Sequence, residues 1–198
     1  LLVAVGCRFS DRVALQPSTF AHQAKIVQVD IDSTEIGKNV RCDHSVLGDA
    51  KTVLAMANER LGQLHHRRWR QFVLSFPTET QYEEGGDHLT PKQVNEMVAR
   101  LCPEDTIVAT DVGQHQMWAI QHFHYDYPGQ LLTSGGFGAM GFGLGAAIGA
   151  QVGNPGTCVI HVTGDGSFRM NCNELATVEH YRLPIITIVY DNTVLGMV

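Results

Sequence analysis

An acidic side chain lies between two glycines in Gly164-Asp165-Gly166, directly after an apolar run at residues 158–163. A second apolar run, residues 185–190, leads to Asn192, and 25 residues separate Gly166 from Asn192. Ligands of open α/β sheets bind outside the carboxyl ends of the strands, so both side chains are expected at one crevice. Mg²⁺ takes a few protein oxygens and completes its shell with phosphate oxygens and water. Gly-Asp-Gly alone could be a turn and Asn192 alone a helix cap, but the pair predicts a metal that bridges a diphosphate.

Strands and helices that alternate along the chain must position this pair. Short apolar, β-branched runs without strict polar alternation predict buried parallel strands, at residues 1–5, 25–32, 106–111, 158–163 and 185–190. Thr90 is a good N-cap with Pro91 at the first helical position, and further helical patterns cover residues 50–61, 114–123, 140–152 and 173–181. The alternation predicts an α/β fold with doubly wound parallel sheets.

Composition and charge exclude several functional classes. The net charge of −6 and a single basic cluster at residues 67–70 do not offer the basic face that nucleic acid requires. Residues 127–164 hold no charged side chain and 11 of the 20 glycines, but polar residues interrupt them too often for a membrane span. Five widely spaced cysteines predict buried thiols in a reducing compartment. We therefore predict no nucleic-acid partner, no membrane association and a cytoplasmic location, or a plastid or mitochondrial one in a eukaryote.

A polar and charged stretch at residues 62–88 interrupts the apolar pattern and predicts a linker. It separates a domain at residues 1–61 from a second domain at residues 89–198. The chain does not begin with Met, and it starts and stops close to apolar, strand-like runs. We therefore expect an internal segment of a longer protein, with the second domain truncated at its carboxyl terminus.

The Gly164-Asp165-Gly166 and Asn192 pattern resembles the thiamine diphosphate signature of the pyruvate-decarboxylase-like enzymes. The resemblance implies that the side chains of Asp165 and Asn192, with the main-chain carbonyl of Val194, hold Mg²⁺ against the diphosphate of the cofactor. Residues 114–118, Gln-His-Gln-Met-Trp, and the glycine-rich residues 136–144 resemble segments of one family in that group, the acetolactate synthases. Residues 171–177 and 195–198 are similar to the same enzymes.

This resemblance implies a thiamine diphosphate-binding domain in residues 89–198. Met140 would hold the cofactor in its bent form, the one catalytic role implied for this chain, although a Met at a helix start is also an ordinary core residue. His115 would face the diphosphate, or it would be a satisfied polar residue at a helix start. The residues implied to contact thiamine diphosphate are Val112, Gly113, Gln114, His115, Gly138, Met140, Gly164, Gly166, Ser167, Leu195, Gly196 and Met197.

Residues 1–61 resemble the carboxyl-terminal half of the middle, FAD-associated domain of acetolactate synthases. An arginine can face a diphosphate, and an acidic residue at a strand end can bind ribose hydroxyls. The alternative is that Asp30 and Asp32 cap the helix that follows them. The residues implied to contact FAD are Arg8, Arg12, Asp30, Ile31, Asp49 and Ala50.

Membership of this family implies decarboxylation of pyruvate and ligation of the two-carbon unit to a second 2-keto acid, in branched-chain amino-acid biosynthesis. Thiamine diphosphate, Mg²⁺ and a structural FAD would be the cofactors, in a homodimer or higher oligomer with a regulatory small subunit. The activating glutamate of the family lies in an N-terminal domain outside these 198 residues, so the segment alone is expected to be inactive. Other interpretations are a different thiamine diphosphate enzyme, such as pyruvate oxidase or sulfoacetaldehyde acetyltransferase, or a noncatalytic nucleotide-binding module.

Overall fold

The computed structural model describes residues 1–76 and 87–197, and the chain divides into two compact units, Leu1–Phe76 and Pro77–Val198. The division falls within the stretch predicted as a linker, and residues 77–86 of that stretch, like Val198, lie outside the described residues. Each unit contains a parallel sheet with helices between its strands. The predicted α/β fold class is confirmed.

The first unit contains three parallel strands in the order β1-β2-β3. They are β1 (Leu2–Val5), β2 (Ile26–Asp30) and β3 (His44–Leu47), with helices α1 (Asp11–Ala14), α2 (Ala50–Leu61) and α3 (Arg67–Leu74). The buried core is small and consists of Ala4, Phe9, Ala14, Ile26 and Val40. Strand β3 is exposed along its whole length, and α2 buries no residue.

The second unit contains four parallel strands in the order β5-β4-β6-β7. The strands are β4 (Ile107–Thr110), β5 (Leu131–Thr133), β6 (Val159–Gly164) and β7 (Ile185–Tyr190). The helices are α4 (Pro91–Leu101), α5 (Gln114–His122), α6 (Phe142–Gly153), α7 (Asp165–Asn171) and, after a short 3₁₀ turn at Cys172–Glu174, α8 (Leu175–His180). Thr90 caps α4 as predicted, with its hydroxyl accepting from the Gln93 N–H and the Gln93 side chain accepting from the Thr90 N–H.

Helices cover both faces of the second sheet. One buried cluster joins Val108 and Ile160 of the sheet to Ala119 and Phe123 at α5. In the other cluster, Ala109 and Val159, which are the strand residues adjacent in sequence to Val108 and Ile160, pack against Ala147 and Ala150 of α6. Because successive residues of a strand point to opposite faces, the two clusters lie on opposite sides, as a doubly wound sheet requires.

The sequence does not predict strands β3 and β5 or helices α1, α3 and α7. Strands β3 and β5 have only four and three residues, and each lies at a sheet edge. Their local sequence pattern is too short to predict a strand, and backbone hydrogen bonds to the neighbouring strand stabilise them. Helix α3 lies inside the predicted linker. Helix α7 begins with Asp165, Gly166 and Ser167, which are turn formers, although an acidic residue suits a first helical turn.

Two predicted helix starts are wrong by two residues. The helix predicted from residue 140 begins at Phe142, because the preceding Gly141 has a left-handed backbone with φ of 81°. The helix predicted from residue 173 begins at Leu175, after the 3₁₀ turn. Met140 therefore belongs to a turn and not to the first turn of a helix.

The five cysteines are free thiols, as the composition predicts. Four of them are half-buried and Cys172 is exposed, so the prediction that all are buried is wrong. Within residues 1–76 and 87–197, no helix is both long and apolar enough to cross a membrane.

Candidate cofactor site at the strand ends

Strands β4 and β6 lie side by side at the point where the strand order of the second sheet reverses. The chain passes from β4 outward to β5, and then crosses to the other side of β4 to form β6 and β7. The carboxyl ends of the two central strands diverge at such a switch point and leave a crevice for ligands. Residues 112–115 follow β4, Asp165 follows β6 and Asn192 follows β7. The topology therefore brings the predicted diphosphate and metal residues to one edge.

Gln114 and Asn192, which are 78 positions apart, are in direct contact at this edge. The Asn192 Nδ2 donates to Gln114 Oε1 over 2.9 Å, and the Val194 N–H donates to Asn192 Oδ1 over 3.3 Å. Gly196 lies so close to the Gln114 amide that a Cβ on Gly196 would overlap it. The loop after β7 is therefore fixed to the first residue of α5, and Asn192 orders this loop and is not a helix cap.

Asp165 is the first residue of α7, and its side chain is half-buried. The described part of the chain gives its carboxylate no hydrogen-bonding partner. Asp165, Asn192 and the Val194 carbonyl are hard oxygen donors of the kind that Mg²⁺ prefers. Among the described residues no group of three or more His, Cys, Asp or Glu could hold a metal ion. The donor set proposed here is not such a group, because only Asp165 among its three ligands is of these residue types. A carboxylate after β6, with an amide and a carbonyl oxygen in the loop after the neighbouring strand β7, is a donor set that fits a hard cation.

His115 lies buried between two glycines that the sequence assigned to the cofactor. A Cβ on Gly113 would lie 2.5 Å from His115 Cε1, and a Cβ on Gly164 would lie 2.8 Å from His115 Nδ1. Glycine is required at both positions because the imidazole occupies the space. Burial lowers the pKa of His115, an effect that the charges of Asp111 and Asp165 oppose without reversing.

The alternative that His115 is a satisfied polar residue does not hold. Its Nε2 is buried and has no hydrogen-bonding partner within residues 1–76 and 87–197. An unpaired buried polar atom carries a desolvation cost. A neutral imidazole with an unused nitrogen fits a ligand that supplies the missing hydrogen bond.

Met140 and Leu195 both approach Gly166. A Cβ on Gly166 would lie 2.8 Å from Leu195 Cδ2 and 3.7 Å from Met140 Cε. Met140 is half-buried in the turn that precedes α6, so it is not a fully buried core residue. Gly138, in the same turn, has a φ of 74°, and its N–H donates to the carbonyl oxygen of Ser134 over 3.1 Å. The turn thus presents Met140 beside the Asp165 loop.

A buried polar network lies beneath this edge, and the sequence patterns do not place it in the predicted site. The Asp111 carboxylate is 1% exposed and accepts from the Gly143 N–H at 2.7 Å, the Thr163 hydroxyl at 2.7 Å and His161 Nε2 at 3.0 Å. Burial opposes ionisation, but these hydrogen bonds outweigh it and lower the pKa of Asp111. Polar residues at 161 and 163 inside an otherwise apolar strand are the sequence signal for this network.

The remaining predicted residues of the second unit also lie along this edge. The Ser167 hydroxyl is buried and donates to the Val112 carbonyl oxygen over 3.1 Å, which joins the loops after β4 and β6. Met197 is half-buried and ends the described part of the loop after β7.

The predicted FAD residues follow the strands of the first sheet. Arg8 comes after β1. Asp30 is the last residue of β2, and Ile31 follows it. Asp49 and Ala50 come after β3. The Asn39 Nδ2 donates to the Arg8 carbonyl oxygen over 2.9 Å, which joins the loops that follow β1 and β2. Arg12 lies on α1 and is exposed, and Ile31 is 74% exposed.

The carboxylates at this edge accept hydrogen bonds from residues of their own loops. Asp30 Oδ1 accepts from the Asp32 N–H over 2.9 Å. Asp49 caps α2, accepting from both the N–H and the hydroxyl of Thr52 over 3.0 Å, and these bonds lower the pKa of Asp49. Asp32 binds the N–H and hydroxyl of Thr34 within a turn. The alternative that Asp30 and Asp32 cap a helix is wrong, because turns follow them; the helix cap is Asp49.

Comparisons with known proteins agree with the division into two units. Residues 1–57 match the family described as thiamine pyrophosphate enzyme, central domain, and residues 111–198 match thiamine pyrophosphate enzyme, C-terminal TPP binding domain. The name thiamine pyrophosphate denotes the same compound as thiamine diphosphate.

Curated relatives are similar along the whole chain. Acetolactate synthase 2, chloroplastic, of Brassica napus is 45% identical over 206 residues, which cover 100% of this chain and 32% of the relative. The probable acetolactate synthase large subunit of Methanococcus aeolicus is 39% identical over 217 residues, covering 100% and 36%, respectively. That of Methanocaldococcus jannaschii is 42% identical over 214 residues, covering 100% and 35%. The chain spans about a third of the length of these relatives.

Proposed function

We propose that the chain is a thiamine pyrophosphate enzyme and forms the cofactor-binding part of an acetolactate synthase, because residues 1–57 and 111–198 match the central and C-terminal domains of such enzymes. The proposed reaction releases CO₂ from pyruvate and joins the remaining two-carbon unit to a second 2-keto acid, as a step of branched-chain amino-acid biosynthesis. Identity of 39–45% to acetolactate synthases over the whole chain supports this choice. The observation that carries it is the contact between Asn192 and Gln114, which joins the two motifs most typical of the family.

Thiamine diphosphate is proposed to bind at the carboxyl edge of the second sheet. When bound, it supplies the carbanion chemistry that decarboxylation and carboligation need, while the protein orients it and excludes water. His115 would offer its unused imidazole nitrogen to the diphosphate, and Gln114 would bind beside it. The backbone of Val112, Gly113, Gly138, Gly164 and Gly166, with Ser167, Leu195, Gly196 and Met197, would form the walls.

Mg²⁺ is proposed to bind Asp165, Asn192 and the Val194 carbonyl oxygen. The carboxylate of Asp165 supplies the negative charge, and the two other oxygens are neutral donors. The Val194 N–H donates to Asn192 Oδ1, and this bond keeps the two residues close together, which favours the binding of one metal ion by both. The metal would neutralise the diphosphate and fix its orientation.

Met140 is proposed to support the bent form of the cofactor. Its terminal methyl group lies near Gly166, and Met140 belongs to a turn that precedes α6. A flexible, polarisable side chain can fill the concave side of a bent ligand. The proton transfer that activates the cofactor would need a glutamate that these 198 residues do not supply, so we propose that this segment alone is inactive.

FAD is proposed to bind at the carboxyl edge of the first sheet, near Arg8, Arg12, Asp30, Ile31, Asp49 and Ala50. Its role would be structural, because carboligation of two 2-keto acids has no net redox change. The match of residues 1–57 to the central domain supports this assignment. The complete enzyme is proposed to be a homodimer or higher oligomer with a regulatory small subunit, located in the cytoplasm or in a plastid or mitochondrion.

The product formed from pyruvate tests this function. Purified full-length protein with thiamine diphosphate, Mg²⁺ and FAD should convert pyruvate into acetolactate and CO₂. Acetate or acetyl phosphate in its place would assign the protein to another thiamine diphosphate enzyme. Absence of any pyruvate consumption, with all cofactors bound, would instead favour a noncatalytic module.

A further inference from the structure

Asp111 lies beneath the candidate cofactor site and does not reach its surface. The side chain is 1% exposed, and its two oxygens together accept three hydrogen bonds. The main chain of Asp111 is also fixed, because its N–H donates to the Val162 carbonyl oxygen over 2.9 Å. A group this enclosed cannot touch the cofactor, so any function must act through its partners.

Two of the three partners of Asp111, Gly143 and Thr163, adjoin different loops of the site, and the third, His161, lies within β6. Asp111 itself directly precedes residues 112–115. The Gly143 N–H belongs to the first turn of α6, directly after the turn that carries Gly138 and Met140. Thr163 precedes Gly164 and Asp165 at the end of β6. One carboxylate therefore connects the three loops assigned to the diphosphate, the bent ring and the metal.

The packing around Asp111 leaves little freedom for these loops to shift. A Cβ on Gly143 would lie 2.7 Å from the Asp111 backbone nitrogen and 2.7 Å from His161 Nε2. His161 is completely buried, and its Nδ1 has no partner among the described residues. His161 Nε2 lies 3.0 Å from the Asp111 carboxylate, which can accept a hydrogen bond from it. The carboxylate is the common acceptor of the Gly143, Thr163 and His161 donors, and the Thr163 hydroxyl, which lies 2.7 Å from it, is also 3.2 Å from the Gly164 carbonyl oxygen.

We propose that Asp111 is a positioning residue that holds the three loops of the thiamine diphosphate site in one fixed arrangement. This inference rests on the proposed function, because it concerns the binding of that cofactor. Removing the common acceptor would let the loops move independently. Affinity for thiamine diphosphate and Mg²⁺ would then fall even in protein that is fully folded.

The substitution Asp111→Asn tests the inference with little change of shape. An amide is neutral and offers one acceptor oxygen where the carboxylate offers two, so all three donors lose the negative charge and at least one of them loses its acceptor. The matched control is Asp105→Asn, at an exposed position before the same strand β4. Both variants are made in the full-length protein, and thiamine diphosphate binding is measured by titration calorimetry with Mg²⁺ present.

We expect Asp111→Asn to raise the Kd for thiamine diphosphate roughly 10- to 100-fold, the range seen when partners of site ligands are removed. Asp105→Asn should stay within about twofold of the wild type, as surface substitutions usually do. A merely structural role would lower the melting temperature and leave the Kd unchanged. Wild-type Kd in folded Asp111→Asn overturns the inference, whereas absence of binding by the wild-type protein overturns the proposed function.

Thr163 provides a second test if Asp111→Asn does not fold. Thr163→Val removes the hydroxyl that donates to Asp111 and keeps the shape, while Thr163→Ser keeps the hydroxyl. Removing the hydrogen bond should raise the Kd about tenfold in the Val variant, with the Ser variant close to the wild type. Equal Kd values for the two variants would overturn the inference.

Discussion

At the carboxyl edge of the second sheet, side chains from different loops contact one another. Asn192 donates to Gln114, Met140 and Leu195 both approach Gly166, and Asp111 accepts from both Gly143 and Thr163. At the carboxyl edge of the first sheet, the candidate carboxylates bind within their own loops, Asp30 to Asp32 and Asp49 to Thr52, and Asn39 joins two loops by donating to the main-chain carbonyl oxygen of Arg8. The same strand topology thus places polar residues at both edges, and the second edge differs in that candidate side chains of separate loops, Gln114 and Asn192, bond directly to each other.

Burial explains much of this difference. Every residue of β6 is buried, whereas every residue of β3 is exposed. Loops that follow a buried strand are held by packing on both sides, so their glycines must admit neighbouring groups. No atom lies within 4 Å of a Cβ built on Gly6, at the end of β1, whereas Gly143, Gly164 and Gly196 would all clash. Gly138 of the second edge is open, and a Cβ on Gly48 of the first edge would lie 3.2 Å from Val53 Cγ2, so the contrast concerns Gly143, Gly164 and Gly196, whose Cβ atoms would all lie within 3 Å of a neighbour.

The largest expected effect follows from Asp165→Asn, which removes the charge at the second edge. Activity of the full-length enzyme should fall about 100-fold at moderate Mg²⁺, because the neutral amide binds the metal weakly. The measurement is the rate of acetolactate formation as a function of Mg²⁺ concentration. Asp126→Asn, an exposed substitution in the same unit, is the control. Wild-type rates in Asp165→Asn at low Mg²⁺ would show that Asp165 is not a metal ligand.

Substitutions of two glycines in α6 measure the effect of close packing on stability separately from the effect of helix propensity. Gly143→Ala would force its Cβ against the Asp111 backbone and His161, and overpacking of this kind costs about 1–3 kcal/mol. Gly149→Ala, with nothing within 4 Å, should instead stabilise the helix by roughly 0.5–1 kcal/mol. Denaturant unfolding of both variants measures the two free energies. Equal effects of the two substitutions would contradict the packing described at Gly143.

Asp49 offers a smaller effect at the first edge. Asp49→Ala removes the N-cap of α2 and should lower the free energy of unfolding by about 1 kcal/mol. Asp49→Asn keeps a capping oxygen and should change it by only a few tenths of a kcal/mol, since Asn caps as well as Asp. Denaturant unfolding followed by far-UV circular dichroism compares the two variants. If both destabilise equally, the charge of Asp49 does more than cap the helix.

The smallest expected effect is the pH dependence from His115. Burial lowers the pKa of His115 below its ordinary value of 6.5, so the unfolded chain binds a proton that the folded chain does not. Stability from this residue is complete above pH 6.5 and declines as pH falls toward the folded pKa. The wild-type free energy of unfolding should therefore fall relative to His115→Asn between about pH 7 and pH 5.

The exposed His124 supplies the control for that comparison. The curve of His124→Asn should keep the wild-type slope over the same pH range. Parallel curves for the wild type and His115→Asn would contradict the burial of a neutral imidazole at position 115.

Local sequence patterns predict some elements of this fold closely and others poorly. Helix α2 and strand β7 begin and end where the patterns place them, and Thr90 and Pro91 locate the start of α4. Long periodic or apolar runs give a strong signal because many residues agree. Edge strands β3 and β5 are too short to do so, and they form because a neighbouring strand offers backbone partners.

The candidate site divides in the same way. Asp165 and Asn192 follow two apolar runs, so their residue types and spacing point to a metal and a diphosphate, and the resemblance to acetolactate synthases adds Gln114. The bond from His161 to Asp111 spans 50 positions, and it depends on how β4 and β6 pair. Gly164 illustrates the limit of motif reading, since its lack of a side chain makes room for His115.

Titration of the full-length protein with thiamine diphosphate, with and without Mg²⁺, tests the central claim most directly. Calorimetry should detect binding when Mg²⁺ is present, with affinity lower by roughly tenfold or more when a chelator removes the metal. Metal-dependent binding would support the assignment of Asp165, Asn192 and Val194 at the edge of the second sheet. Equal affinity without Mg²⁺, or no binding at all, would contradict it.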